Sequence, residues 1–290
     1  MHTRVTVTVH PGSASRDWEA AARAAFAEFE RLERIFSLFR PDSEIVNVNA
    51  CAGLATAVSP DLLSALKLAI TVAAETGGRL DPLVGRWTAP GYAGRGLPAA
   101  SFAQIIIADA GDRVTLPPRS ALDLNSLAKG LALDRALDAF GGNEPVIIEA
   151  GGDVVVRGLP PGKEAWEIGI RDPGRPAMIA AVLRVAGGAV CTSGDYFRGA
   201  AARAAGRHHL VDARDGRLAR HPASLTVLAP SDVEADILST AAFLLPAGDS
   251  SGFVECHAGA ACLLIDNDGQ IMASPRLAQA LIKEHNLCLS

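Results

Sequence analysis

Apolar residues recur along this chain with two different periods, which predict a mixture of strands and helices. Valine and threonine alternate over residues 5–9, a pattern typical of a strand, and from Trp18 onward the apolar residues follow the period of a helix. Further helices are predicted after Ser59 and from Asn125. Further strands are predicted at residues 105–107, 113–116, 121–124, 146–148, 154–156, 166–170, 180–185, 225–228 and 261–265.

The second helix is bounded by residues with special backbone preferences. Ser59 is a good N-cap, Pro60 suits the first helical position, and the Gly77-Gly78 pair stops the helix. Residues 86–100 are rich in glycine, proline and alanine, and they predict a long surface loop. Strands outnumber helices and do not alternate with them regularly, so an α+β fold is favoured over a doubly wound parallel sheet. No linker divides the chain, and we expect one domain over residues 1–290.

Composition and charge exclude several classes of protein. With 290 residues, of which 49% are hydrophobic, the chain can bury a large core and is not intrinsically disordered. Its net charge is −5 and no long block has one sign, so a nucleic acid is not an expected partner. Five scattered cysteines fit neither a disulfide scaffold nor a zinc site. No segment is apolar enough for a membrane span and the start lacks the pattern of a signal peptide, so we expect a cytoplasmic protein as written.

Asp236 and Thr240 are four residues apart in a segment predicted to form a helix that starts near Ser231. At this spacing the two side chains share one face of the helix. A carboxylate and a hydroxyl are hard oxygen ligands of the kind that Mg²⁺ prefers, while it keeps waters and substrate phosphates in its other positions. The alternative is an aspartate near a helix N-terminus and a threonine bonded to the preceding turn.

Residues 123–130, Asp-Leu-Asn-Ser-Leu-Ala-Lys-Gly, predict a strand that turns into a helix. Unpaired N–H groups and the positive end of the helix dipole make such a turn a natural phosphate site. The spacing is not that of a P-loop. The alternative is an ordinary capped helix with one solvated lysine, Lys129.

Two other segments combine polar side chains. Residues 192–196, Thr-Ser-Gly-Asp-Tyr, place two hydroxyls and a carboxylate around a glycine that lets a ligand approach the backbone; the alternative is a polar turn. Residues 208–212 place two histidines before Asp212. In an extended chain His209 and Val211 face the same way, and a histidine there can act as a general base; the alternative is a surface histidine pair.

Taken together and in this order, these segments resemble the ApbE family, the FAD:protein FMN transferases. The matching segments cover the chain almost from end to end: residues 1–3, 37–44, 76–82, 123–134, 151–153, 192–196, 209–212 and 236–240. The Asp-Leu-x-x-x-Ala-Lys-Gly and Thr-Ser-Gly-Asp-Tyr segments are the most specific. A chance match to all of them in this order is not expected.

The resemblance implies an α+β fold with mixed sheets and flanking helices, in two lobes around a flavin cleft. It also implies Mg²⁺-dependent transfer of FMN from FAD to a threonine or serine hydroxyl of a target flavoprotein, with release of AMP. The implied base is His209, and the implied metal ligands are Asp236, Thr240 and the backbone carbonyl of Ala128. The residues implied to line the FAD site are Met1, Phe39, Arg79, Leu80, Asp81, Asn125, Leu131 and Val211.

Two other functions stay open at this point. An FAD pyrophosphatase, which uses water as the acceptor and yields FMN and AMP, would need the same site. A flavin-binding protein without enzyme activity would need neither the metal ligands nor His209. A redox flavoenzyme is disfavoured because no nicotinamide-type G-x-G-x-x-G segment follows a strand. Members of the family are often periplasmic lipoproteins, whereas the first residues of this sequence carry no export signal. Two explanations stay open: the protein acts in the cytoplasm, or the sequence begins after an export signal that has been removed.

Overall fold

Helices and antiparallel strands are mixed along the chain, which confirms the expected α+β class. A computed structural model describes residues 4–10, 17–90, 100–194, 210–217 and 223–288. Within these residues the helices are α1 (Trp18–Phe36), α2 (Glu44–Ala50), α3 (Pro60–Glu75), α4 (Gly85–Thr88), α5 (Asn125–Ala139), α6 (Asp232–Leu244) and α7 (Ala247–Glu255). The strands are β1 (Val5–Val9), β2 (Thr56–Ala57), β3 (Ile106–Ile107), β4 (Arg113–Thr115), β5 (Val146–Ala150), β6 (Asp153–Arg157), β7 (Trp166–Arg171), β8 (Met178–Val185), β9 (Gly188–Gly194), β10 (Ser224–Ala229), β11 (Ala261–Ile265), β12 (Ile271–Ala273) and β13 (Leu281–Cys288).

The chain forms two compact units. Among the described residues, the first unit contains residues 30–90, 100–128 and 210–217, and the second contains residues 4–10, 17–29, 129–194 and 223–288. The single domain expected over residues 1–290 stays a prediction. In the part of the chain that the structure describes, no helix combines the length and the apolar character needed to cross a bilayer.

The second unit is built on a seven-stranded antiparallel sheet with the order β1-β5-β6-β9-β10-β11-β12. A three-stranded sheet, β13-β8-β7, packs on one of its faces, and helices α6 and α7 cover the other. Because both faces of the larger sheet are covered, all five residues of β11 are buried.

Apolar side chains between the two sheets form a core of the second unit. Burial alternates along β7 and puts Trp166, Ile168 and Ile170 on the inner face, where they join Val190 and Leu263 of the larger sheet. The indole N–H of Trp166 donates a hydrogen bond to a backbone carbonyl at 2.8 Å, so its polar atom has a partner. Burial of one large apolar side chain contributes about 1.5–3 kcal/mol to stability.

Helix α3 of the first unit begins and ends as the sequence predicts. The hydroxyl of Ser59 accepts the N–H of Leu62 at 3.3 Å, and Pro60 is the first helical residue. Gly77 and Gly78 follow the helix with φ angles of 60° and 76°, in the left-handed region that favours glycine. The side chains that α3 buries are Leu62, Ala65, Leu66, Ala69, Val72 and Ala73. The first unit also contains the small sheet β2-β4-β3.

One strand prediction, at residues 121–124, is wrong. This buried segment pairs with a side-chain amide instead of a strand: the N–H of Leu122 donates to Asn49 Oδ1 at 2.6 Å, and Asn49 Nδ2 donates to the Leu122 carbonyl at 3.0 Å. An asparagine amide offers one donor and one acceptor side by side, as a neighbouring strand would. An apolar run can therefore be buried here without a strand partner.

The surface loop predicted over residues 86–100 is wrong at its start, because Gly85–Thr88 form α4 and Arg86 is buried. A side chain at Gly85 would lie 2.5 Å from the carbonyl oxygen of Ala121, so the two backbones can approach only because this residue is glycine. Residues 91–99 lie outside the described part of the chain.

Replacement of Gly130 by alanine should destabilise the second unit. Gly130 of α5 lies against the first turn of α6, where an added Cβ would be 2.4 Å from the carbonyl oxygen of Asp232. Backbone is present on both sides of the contact, so we expect the free energy of unfolding to fall by at least about 1–3 kcal/mol in chemical denaturation. Gly252→Ala in α7 is the matched control, since nothing lies within 4 Å of a Cβ there, and it should stabilise the protein by up to about 1 kcal/mol. Equal destabilisation of the two variants would contradict the close contact at Gly130.

Candidate functional site

A polar cluster lies between α6 and β9 in the second unit. The helical period places four polar residues of α6 on one face, and the strand period places two residues of β9 opposite them. The polar cluster consists of Asp232, Asp236, Ser239 and Thr240 of α6, Cys191 and Ser193 of β9, Asp153 of β6 and Lys129 of α5. All of these are buried except Lys129 and Thr240, which are partly exposed.

The start of α6 is fixed by two side chains. The hydroxyl of Ser231 accepts the N–H of Glu234 at 3.4 Å, as expected of an N-cap. The carboxylate of Asp134, on α5, accepts the N–H groups of Asp232 and Val233 at 2.8 and 2.9 Å. A negative charge at this end also complements the helix dipole. The position of α6 along its own axis is therefore set by α5.

Asp236 is buried, and its carboxylate accepts the backbone N–H of Gly130 at 3.1 Å. The thiol of Cys191 lies 3.6 Å from its other oxygen. Burial raises the pKa of Asp236 to about 7, although the charge of Lys129 acts in the opposite direction. Its ionised form is therefore not fully compensated by the protein.

Lys129 forms an ion pair with Asp153, whose side chain is completely buried. Burial opposes the charge of Lys129, but the carboxylates of Asp236 and Asp153 outweigh it, and the pKa of Lys129 is raised above its ordinary value. The ion pair therefore favours the charged form of the ammonium. The alternative of a solvated lysine at this position is wrong, because the ion pair draws its side chain into the polar cluster.

Two further groups in the polar cluster are neutralised in other ways. Burial raises the pKa of Asp232 well above its ordinary value, and neighbouring carboxylates, Asp153 and Asp236, raise it further. Neither carboxylate oxygen of Asp232 has a hydrogen-bond partner among the described residues. Burial likewise raises the pKa of Cys191 well above its ordinary value, so its thiol stays neutral.

Three hydroxyls continue the polar cluster toward the solvent. Ser193 Oγ lies 2.8 Å from Ser239 Oγ and 3.3 Å from Thr240 Oγ1. Ser239 donates to the backbone carbonyl of Asp236 at 2.9 Å. Sequence reasoning assigned no role to Ser239, Cys191 or Asp153, because their contacts depend on how the sheet and α6 pack.

The donor atoms of the polar cluster suit a divalent cation. Ligand atoms of Asp153, Cys191 and Asp236 lie within 4.8 Å of one another, but Asp153 is already paired with Lys129. Among the oxygen donors, the carboxylate of Asp236 is buried, whereas the hydroxyl of Thr240, four residues later on α6, lies at the partly exposed end of the polar cluster. Mg²⁺ prefers oxygen ligands and keeps several waters, so this end of the polar cluster fits it better than the thiol does.

In the first unit, Arg79 binds the turn at residues 212–216. Its guanidinium donates to Asp212 at 3.0 Å, and its carbonyl accepts the N–H of Ala213 at 2.9 Å. Burial raises the pKa of Asp212, but hydrogen bonds from Arg214 and the charges of both arginines outweigh burial and hold the pKa below its usual value. The guanidinium and the backbone carbonyl of Arg79 are thus both engaged in hydrogen bonds within the protein.

Trp87 supports the same turn. Its indole N–H donates to the Ala213 carbonyl at 3.3 Å, and a Cβ at Gly216 would lie 2.7 Å from the indole ring. Gly216 has a φ of 72°, which a side chain would strain. No local sequence pattern marks Trp87, although it holds the segment that follows His209.

Asp81 also has a structural partner for each oxygen. It accepts the N–H of Leu83 at 2.8 Å and that of Phe102 at 2.9 Å, and burial raises its pKa. Leu80 beside it is buried. These contacts fix the segment that follows α3.

The predicted turn before α5 is held by Asp123. Its carboxylate accepts the N–H of Asn125 at 2.9 Å and the hydroxyl of Thr88. Asn125 itself is exposed, whereas Leu127 and Ala128 in the same turn of α5 are buried.

The remaining predicted site residues differ in exposure. Phe39 is 80% exposed, Leu131 is partly exposed, and Ala128 and Val211 are buried. Residues Met1 and His209, together with His208, Asp195 and Tyr196, lie outside the described residues.

Lys129→Met should destabilise the protein by about 3–5 kcal/mol, because it leaves the buried carboxylate of Asp153 without its counter-charge. Arg184→Met is the matched control. Arg184 pairs with Glu164 at 3.2 Å, but both side chains are at least half exposed, so the loss should be at most about 1 kcal/mol. Chemical denaturation measures both, and Asp153→Asn should recover part of the loss in the Lys129→Met background. A loss of equal size in the two single variants would show that the buried charge is not the cause.

Comparison with known proteins identifies relatives over nearly the whole chain. The family model described as the ApbE family matches residues 1–264. A protein of Treponema pallidum named FAD:protein FMN transferase is 28% identical, and the match covers 94% of this chain and 84% of that protein. A protein of the same name from Rhodobacter capsulatus is 30% identical over 91% of this chain, which spans 54% of that relative.

A solved structure of an ApbE protein has a similar fold. The crystal structure of the ApbE protein of Thermotoga maritima superposes with a TM-score of 0.83 at 28% identity, and the match covers 97% of this chain and 96% of that one. The family match, the curated relatives and the shared fold each extend over most of the chain. This chain belongs to the ApbE family.

Proposed function

We propose that this chain transfers FMN from FAD to a threonine or serine hydroxyl of an acceptor flavoprotein, in a Mg²⁺-dependent reaction that releases AMP. Membership of the ApbE family and the name shared by its relatives support flavin transfer from FAD. The observation that carries the metal dependence is the presence of two oxygen donors on one face of α6, the buried carboxylate of Asp236 and the partly exposed hydroxyl of Thr240.

In this proposal, Asp236, Thr240 and the backbone carbonyl of Ala128 hold Mg²⁺. All three donors are oxygen atoms, which this ion prefers. When bound, the ion would neutralise the negative charge that develops on the phosphate oxygens during transfer. Asp236 is the only one of the three that carries a full charge, so its carboxylate should contribute most to the affinity.

The FAD site is proposed to be lined by Met1, Phe39, Arg79, Leu80, Asp81, Asn125, Leu131 and Val211. The exposed ring of Phe39 suits stacking on a flavin, and the exposed side chain of Asn125 at the N-terminus of α5 suits contact with a phosphate group. The side chains of Arg79 and Asp81 are engaged with the protein, so we assign them to shaping the site and not to charge contacts with FAD.

In the transfer step, the acceptor hydroxyl oxygen attacks the FMN-side phosphorus of FAD. A new phosphorus–oxygen bond forms, and the bond from that phosphorus to the bridging oxygen breaks, so the bridging oxygen leaves with AMP. The neutral imidazole of His209 takes the hydroxyl proton. With water in place of the hydroxyl the same step would give free FMN, so exclusion of water decides between transfer and hydrolysis.

Asp236→Asn should abolish Mg²⁺-dependent transfer while the fold is kept, because it removes the only full charge among the proposed ligands. The assay incubates the protein with FAD, Mg²⁺ and a threonine-bearing acceptor, and follows AMP release and the mass of the acceptor. Asp249→Asn on the exposed surface of α7 is the matched control and should behave as the wild type. Unchanged activity of Asp236→Asn at limiting Mg²⁺ would overturn the metal assignment, and AMP release without a gain in acceptor mass would favour the pyrophosphatase.

His209→Ala should slow transfer by about 10²–10⁴-fold while FAD binding changes little, because a general base acts on the acceptor proton. Activity of the wild type should rise with pH through the pKa of this histidine, since the base must be neutral. His208→Ala is the matched control and should be mild, because adjacent side chains of an extended chain point in opposite directions. Equal losses in the two variants would contradict the assignment of His209.

A further inference from the structure

Thr240 can act as a metal ligand only if its hydroxyl is correctly oriented. A neutral hydroxyl has one proton and two lone pairs. To bind a cation, the oxygen must present a lone pair to the ion and must donate its proton to some other acceptor. As a ligand, Thr240 therefore needs an atom that accepts its proton.

Ser193 is the hydrogen-bond partner of the Thr240 hydroxyl among the residues that the structure describes. Ser193 Oγ lies 3.3 Å from Thr240 Oγ1, and Ser193 is buried while Thr240 is partly exposed. The bond thus points from the exposed end of the polar cluster inward.

The direction of this bond follows from Ser239. Its single proton goes to the backbone carbonyl of Asp236 at 2.9 Å, a better acceptor than the thiol of Cys191 at 3.5 Å. The oxygen of Ser239 is then an acceptor for Ser193, 2.8 Å away. Since Ser193 donates its own proton inward, its oxygen is left to accept from Thr240.

We infer that Ser193 is a positioning residue that accepts the proton of Thr240 and thereby turns a lone pair of Thr240 toward the cation. The inference rests on the proposed function, because it takes Thr240 as a ligand of Mg²⁺. The three hydroxyls form a directed chain in which each proton points deeper into the protein. Ser193 itself does not touch the ion.

The residue before Ser193 on β9 provides a matched control. Thr192 precedes Ser193 on β9, and its side chain points to the opposite face of the sheet, where it lies 2.9 Å from the hydroxyl of Thr226. Thr192→Val removes a hydroxyl from the same strand without changing the contact with α6. It should leave cation binding as in the wild type.

The test measures binding of Mn²⁺, used as a paramagnetic probe for Mg²⁺, from the electron paramagnetic resonance signal of the free ion without FAD. Ser193→Ala should weaken binding by about 10-fold or more, the range usual for residues that orient metal ligands. Ser193→Cys, which keeps the side-chain shape but provides a weaker acceptor, should weaken binding less. If Ser193→Ala does not fold, the same comparison is made with Ser193→Cys.

A double-mutant cycle separates positioning from a general loss of packing. In a Thr240→Val background no hydroxyl is left to orient, so Ser193→Ala should cause no further loss of Mn²⁺ affinity. If Ser193→Ala weakens binding by the same factor in both backgrounds, or has no effect in the wild type, Ser193 does not position Thr240.

Asp236→Asn distinguishes failure of this inference from failure of the metal assignment. Loss of Mn²⁺ binding in Asp236→Asn together with an unaffected Ser193→Ala overturns only the role of Ser193. Unchanged Mn²⁺ binding in Asp236→Asn overturns the metal site, and the role of Ser193 with it.

Discussion

Negative charge buried between a helix and a sheet has to be compensated, and the second unit is organised around this constraint. An ionised carboxylate taken from water without a partner costs far more than one hydrogen bond returns. Helix α5 supplies the compensation, with the ammonium of Lys129 for Asp153 and the N–H of Gly130 for Asp236. The backbone of α5 must come very close to α6 to do this, and the glycine at position 130 permits that approach.

The compensation is uneven along α6. Near its N-terminus, burial favours the neutral forms of Asp232 and of the Cys191 thiol that lies across from the helix. Toward Thr240 the hydroxyls lead to a partly exposed oxygen. The carboxylate of Asp236, four residues before Thr240, is one that the protein has only partly compensated. A polar arrangement that would be costly in an ordinary core is therefore suited to a bound cation.

Local signals predicted the parts of the fold that depend on a few neighbouring residues. Ser59, Pro60 and the glycine pair define α3, and helical spacing alone puts Asp236 and Thr240 on one face. Short α2 and α7 were not predicted, because seven and nine residues carry too few periods. The pairing of Lys129 with Asp153 depends on strand order, and the pairing of Leu122 with Asn49 depends on a contact between distant residues. No pattern of period two or four encodes such contacts.

The hydrogen bonds from the first residues of α6 to Asp134 fix where the helix begins, and so they set the position of every later side chain along it. Asp134 fixes residues 232 and 233, so Asp236 and Thr240 lie one and two turns beyond a fixed point. One residue inserted between Asp232 and Asp236 would leave the start of the helix in place and rotate everything after it by about 100°. The side chains of Asp236 and Thr240 would then leave the face that meets β9. In this segment the number of residues is therefore under tighter constraint than the identity of the apolar ones.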